Sequence, residues 1–204
     1  MTVRAVDPAI GVIATEAARC GSLAALADVV RQCVACPDLA PLRKSVVVGD
    51  FPAPARLLLV GEGPGATEDE VGRPFVGKGG QLLDALLAEA GLDRAHVAVA
   101  NVVKCRLPGN RTPTPAEARR CTAWLDRQVE LSAPTLVVTL GLSALRWAIG
   151  PGAPLRDVRG VVREWRGTRL LSTYHPSAAL RFGPAGAPMA MLRADLRTAS
   201  EALS

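Results

Sequence analysis

The chain has 204 residues, of which 49% are hydrophobic and 21% charged. That profile excludes a disordered, collagenous or low-complexity protein and suits one domain burying roughly 70% of its unfolded surface. Residues 1–20 read as a variable N-terminal extension and residues 21–204 as a single domain. The longest uncharged run, residues 131–145, is interrupted by Pro134 and Gly141 and falls short of the about 20 apolar residues a membrane span needs. The apolar patch at residues 9–14, held between Asp7 and Glu16, makes a poor export signal. The expectation is a monomer without a membrane segment, cytoplasmic and close to the nucleoid.

The formal net charge is +5, and of 24 basic residues all but Lys44, Lys78 and Lys104 are arginine. A GC-rich coding bias would produce this, and so would an anionic partner, because arginine binds phosphate bidentately. The basic residues concentrate at 101–130 and 156–169. Aromatic residues make up only 3% of the chain, which argues against a platform stacking many bases of a single strand.

In chain order, a helix is predicted over residues 23–34 and a buried strand over 56–60. A glycine-rich loop fills 61–80. A helix over 81–90 then places Leu82, Leu83, Leu86, Leu87 and Ala90 on one face. A strand follows at 97–103. Thr114, Pro115 and Glu117 supply an N-cap, a first-turn proline and a capping box for a helix running to 131. A strand at 135–140, a helix at 142–149, a strand at 169–174, a turn or helix opened by Pro176 and a helix at 189–203 complete the chain. Strands alternating with helices predict an α/β fold whose mainly parallel, four-stranded sheet is covered on both faces. Ligands of such sheets sit beyond the carboxyl ends of the strands.

Of five cysteines, Cys33 and Cys36 form a CxxC followed by proline, and Cys105 and Cys121 lie 16 residues apart. Those four could hold Zn²⁺ or a [4Fe–4S] cluster, or be free buried thiols. Cys20 is the spare, suited to helix packing. The loop GEGPG (61–65) lets backbone approach a ligand, without the Lys-Ser/Thr pair of a Walker A loop. Glu68 and Asp69 stand beside it. Phe75 is either a plug for its loop or a stacking surface. Asn101 ends a strand and carries both donors and an acceptor, suited to the edge of a base. His175 follows the last strand, whereas His96 reads as a surface residue.

Taken together, GEGPGATEDEVGRPFVGKGG (61–80), NVVKCRLPGNRTPTPAE (101–117), LVVTLG (136–141) and HPSAALR (175–181) resemble the type 4, iron–sulfur branch of the uracil-DNA glycosylase superfamily. The resemblance spans about residues 23–203. It implies a compact three-layer α/β/α sandwich and a [4Fe–4S] cluster on Cys33, Cys36, Cys105 and Cys121. It also implies hydrolysis of the bond between uracil and deoxyribose in DNA, with the nucleotide flipped into a pocket.

On that resemblance Phe75 stacks on uracil, Asn101 pairs with its O4 and N3–H, and N–H groups around Gly63 and His175 stabilise charge on O2. Glu62 is the implied carboxylate, assisted by Glu68 and Asn110. Arg106, Arg111 and Ser177 meet the DNA backbone, and Leu180 or Arg181 wedges into the stack. The cluster organises the basic loop between Cys105 and Cys121 without redox work. Alternatives are a variant with a broader range of deaminated bases, a non-catalytic iron–sulfur damage sensor, and a zinc-bound module. A variant trapping the abasic sugar would need a histidine between Cys105 and Thr114, and that segment has none.

Overall fold

The computed structural model describes residues 7–204, and residues 1–6 of the N-terminal extension lie outside the described residues. The chain opens with helices α1 (Pro8–Arg19) and α2 (Leu23–Arg31), followed by strand β1 (Leu57–Gly61). Helices α3 (Ala66–Val71) and α4 (Lys78–Glu89) lead to β2 (Val97–Asn101), and α5 (Pro115–Ser132) leads to β3 (Leu136–Leu140). Helices α6 (Leu142–Ile149) and α7 (Leu155–Val158) precede β4 (Arg163–Trp165) and β5 (Thr168–Thr173). Helices α8 (Pro176–Phe182) and α9 (Ala187–Leu203) end the chain.

The sheet order is β2-β1-β3-β5-β4, with β2, β1, β3 and β5 mutually parallel. The fold is thus the expected α/β sandwich, but among the described residues its sheet has five strands rather than four. The additional strand, β4, pairs antiparallel with β5 at one edge. It has only three residues, two of them Arg163 and Glu164, so it carries no apolar alternation to read. Its remaining signal is the Arg166-Gly167 turn, where both residues have positive φ (45° and 78°), as a tight hairpin requires.

Pleating sends alternate residues of each strand to opposite faces. Leu58, Val60, Ala98, Ala100 and Val137 pack with α1, α2 and α5 through Ile13, Leu26, Val30, Trp124 and Leu125. Leu57, Leu59, Val97, Val99 and Val138 pack on the other face with α4 and α9 through Leu83, Leu86, Leu192 and Leu196. Strands β1, β2 and β3 are buried along their whole length.

The stretch read as an extension contributes α1, which buries Ile13 and Ala17. Asp7 caps this helix by accepting the Ala9 N–H and pairs with Arg120 of α5 at 2.6 Å. Cys20 is buried at the end of α1 and bonds the Glu16 carbonyl. Among the described residues no helix is long and apolar enough to cross a membrane.

Three arginines of the run at 156–169 serve the fold, whereas Arg156 is exposed. Arg159 forms a bidentate pair with buried Asp195, and Arg163 donates to the Val158 carbonyl. Arg166 pairs with Asp126 at 2.9 Å and lies 4.7 Å from the centre of the Trp165 ring.

The amino end of α5 forms the expected capping box between Thr114 and Glu117. Arg111 closes on Glu117 with two bonds of 2.8 and 2.7 Å. The Arg111 guanidinium, aided by the Thr114 N–H and hydroxyl, holds the Glu117 carboxyl down to about 2. An unfolded glutamate titrates near about 4.3. The stabilisation is therefore complete above that value and lost as pH falls through the folded pKa. Glu117→Gln should melt below wild type at pH 7, and the gap between their melting temperatures should close between about pH 4 and pH 2. Thermal melts of the two proteins across that range check it.

Candidate active site

The carboxyl ends of β1, β2, β3 and β5 open into one cleft of about 580 Å³. The strand order reverses between β1 and β3, the position where such sheets bind ligands. Glu62 follows β1, Asn101 ends β2, Gly141 follows β3, and His175 follows β5, so each parallel strand delivers a wall residue.

Register sets Gly61 directly beside Asn101. A Cβ on Gly61 would lie 2.5 Å from Asn101 Oδ1 and 2.6 Å from Phe75 Cζ. Glycine is therefore required for the amide and the ring to meet there. Asn101 is 2% exposed, and its Oδ1 is a buried acceptor with no protein partner. Such an atom costs about 1–3 kcal/mol unless something outside the protein satisfies it.

Phe75 has a positive φ of 54°, a strained conformation for a bulky residue. Two contacts hold it. Glu68 Oε1 accepts the N–H groups of Val76 at 3.0 Å and Gly77 at 2.8 Å. Helix α4 also packs against the Phe75 backbone at Gly80, where a Cβ would come within 1.8 Å of the Phe75 carbonyl oxygen. The helix thus starts at Lys78, three residues earlier than the leucine spacing indicated, with Gly79 and Gly80 inside it.

His175 lies across the cleft, with ring centroids 5.7 Å from Phe75. Its Nδ1 accepts the Ser177 N–H at 3.1 Å, capping α8. That bond requires an unprotonated Nδ1, which places the proton of the neutral ring on Nε2. The residue as a whole is half-buried, but desolvation of the ring pushes its pKa down to about 4, with the Glu68 carboxylate opposing. The imidazole is therefore neutral at pH 7.

Glu62 is half-buried and its Oε2 accepts from Ser143 Oγ at 2.5 Å, across the β1–β3 boundary. Ser143 escaped the sequence reading; its only signal was a hydroxyl in the first turn after a strand end. Gly63, Glu68, Asn110 and Arg111 also line the cleft, as do Ser177 and Arg181. Lys78 and Leu142 line it without having been singled out. Arg106 and Leu180 stand outside the lining: Arg106 reaches the Asn110 side chain at 3.4 Å, and Leu180 is 44% exposed on α8. Asp69, buried among the loop residues, accepts the Lys44 and Ser45 N–H groups and so anchors the 44–45 segment.

A second cavity is walled by Cys33, Cys36, Cys105 and Cys121, with Ile13, Val30 and Trp124 behind them. Cys20 is not among its walls. Arg43 donates to Cys105 Sγ at 3.0 Å and to the Cys33 carbonyl. Arg120 stands with Cys36 in the wall of this cavity. Burial raises the thiols of Cys36 and Cys105 and pushes Cys121 up to about 12. Thiols so buried ionise only where positive charge balances them.

The family model for the uracil DNA glycosylase superfamily matches residues 48–197. A type-4 uracil-DNA glycosylase of Thermotoga maritima is 46% identical over 154 residues, covering 74% of this chain and 80% of its own. One from Pyrobaculum aerophilum is 42% identical, covering 76% and 83%. Another from Saccharolobus solfataricus is 38% identical, covering 88% and 85%. With its fold, cleft and four cysteines in place, the chain belongs to the uracil-DNA glycosylase superfamily, in the type 4 branch.

Proposed function

We propose that this protein is a DNA-repair enzyme that flips uracil out of DNA and hydrolyses its N-glycosidic bond, leaving an abasic site. The observation that carries the proposal is the partnerless, buried Oδ1 of Asn101 beside the Phe75 ring. A uracil stacked on Phe75 offers N3–H to that oxygen and O4 to the amide N–H. Cytosine presents an acceptor to the oxygen and an amine to the N–H, leaving both pairs unmatched at about 1–3 kcal/mol per group.

Water adds to the sugar C1′ as the bond to uracil N1 breaks; uracil leaves as an anion, and the proton of the water passes to the Glu62 carboxylate. The neutral His175 ring offers Nε2–H to the developing charge on O2, with the backbone around Gly63 as a second donor. A preorganised donor of this type contributes roughly 3 kcal/mol. Glu62, oriented by Ser143, holds the attacking water and faces the positive sugar. Asn110 assists from the opposite lip of the cleft. Glu68 serves the reaction indirectly, by clamping the loop that carries Phe75. Ser177, Leu180 and Arg181 on α8, with Arg106, are assigned to DNA; Arg111 reaches it with its guanidinium already closed on Glu117. The cleft is built by one chain, which supports a single-domain monomer working in the compartment that holds DNA.

The four cysteines fit an iron–sulfur cluster. Four cysteines lining one cavity are the thiolate set that such a cluster takes, and Arg43 and Arg120 lie ready to offset thiolate charge. When bound, the [4Fe–4S] group supplies structural charge and rigidity to the loop between Cys105 and Cys121.

A labelled oligonucleotide with one uracil tests the reaction. Wild type should leave an alkali-labile site at uracil and none at thymine or cytosine, and Asn101→Ala and Glu62→Ala should each lower kcat about 10²-fold or more. Absence of cleavage by wild type would reject the proposal. Anaerobically purified protein should be brown and hold about four irons and four sulfides per chain; zinc in their place would reject the cluster. A proton NMR titration of His175 should show its midpoint near 4 rather than at the usual value of about 6.5.

A further inference from the structure

Lys104 is 1% exposed, although an ammonium is among the costliest groups to bury without a partner. Its Nζ donates to the Asn101 backbone carbonyl at 2.9 Å and to Gln128 Oε1 at 2.6 Å. Gln128 is itself 1% exposed and its amide donates to the Val48 carbonyl at 2.8 Å. Among the described residues no carboxylate pairs with this amine, and burial pushes its pKa down to about 7, with the Cys121 thiol opposing. Lys104 also forms part of the wall of the cavity lined by Cys33, Cys36, Cys105 and Cys121.

We propose that Lys104 is a positioning residue that ties the cysteine cavity to the base pocket, its ammonium balancing thiolate charge on one side and fixing the strand end that carries Asn101 on the other. This rests on the glycosylase and cluster assignments above. It supplies the counter-charge that a buried lysine requires, because a cube on four thiolates is net negative. It also explains why one short segment bears both a cysteine ligand and the amide that reads the base. Only the backbone carbonyl of Asn101 is bound by Lys104, so the side-chain amide stays available.

Three proteins test it: wild type, Lys104→Met, which matches the side-chain length without the charge, and Gln128→Met, which removes the other acceptor of the same ammonium. In folded, iron-loaded Lys104→Met, kcat on uracil-containing DNA should fall about 10–100-fold, the range for outer-shell partners, with KM within about two-fold. The cluster's reduction potential should move to more negative values, since a buried cation favours the reduced form. Gln128→Met should keep kcat within about three-fold and leave the potential in place. Wild-type kcat or an unmoved potential in Lys104→Met would overturn the proposal, as would equal losses in both variants. If Lys104→Met does not fold, Lys104→Gln, uncharged but still a donor, carries the same comparison. If wild type excises no uracil, the glycosylase assignment fails by itself, and the potential and iron content still decide the link to the cluster.

Discussion

The pocket depends on a single close approach made possible by a missing Cβ. Parallel pairing of β1 with β2 sets Gly61 against Asn101, and Phe75 closes over both. A slip of one residue would turn Asn101 to the other face of the sheet. That register is held by the buried apolar side chains on both faces of β1 and β2. The hydrophobic core is therefore what places a polar amide with an unsatisfied oxygen beside an aromatic ring. The strain at Phe75 and the orphan oxygen at Asn101 are local costs that the surrounding packing sustains.

Charge divides in a similar way. Many of the arginines that gave the chain its basic character are internal fasteners. Arg159 holds Asp195, Arg166 joins Asp126 to two tryptophans, Arg120 holds Asp7, and Arg127 bonds the Cys20 carbonyl. Arg43 and Arg120 face the cysteine sulfurs. Net charge thus overstates the cation surface offered to a nucleic acid, since a guanidinium bonded within the fold has fewer donors left for phosphate. The side chains closest to the proposed DNA path belong to the cleft itself and to α8.

Most of the frame was legible because its signals are local. Continuous apolar runs gave the four parallel strands, and Thr114 with Glu117 gave the start of α5 to the residue. Local signals failed where tertiary contacts decide. Helix α4 begins at Lys78 because it packs onto the backbone of Phe75, and the two glycines that allow this look like helix breakers in isolation. Helix α1 has ordinary composition and is held by α5. Strand β4 is too short and too charged to announce itself. In the site, motif residues were visible, but Ser143 bonds Glu62 from 81 residues away. No spacing rule connects such positions.

The two pocket glutamates show how one loop can give like side chains unlike tasks. Glu68 sits in the first turn of α3 and turns Oε1 back to two N–H groups of the Phe75 loop. That oxygen is engaged, and moving it would release the strained Phe75. Glu62 lies at the strand end, and its carboxylate takes one bond from a hydroxyl of the neighbouring strand's helix. One bond fixes direction and leaves lone pairs for a water. A carboxylate that must both orient water and face a developing cation needs that residual capacity. This difference supports the proposed division of labour, in which Glu62 reacts and Glu68 keeps the Phe75 platform in place.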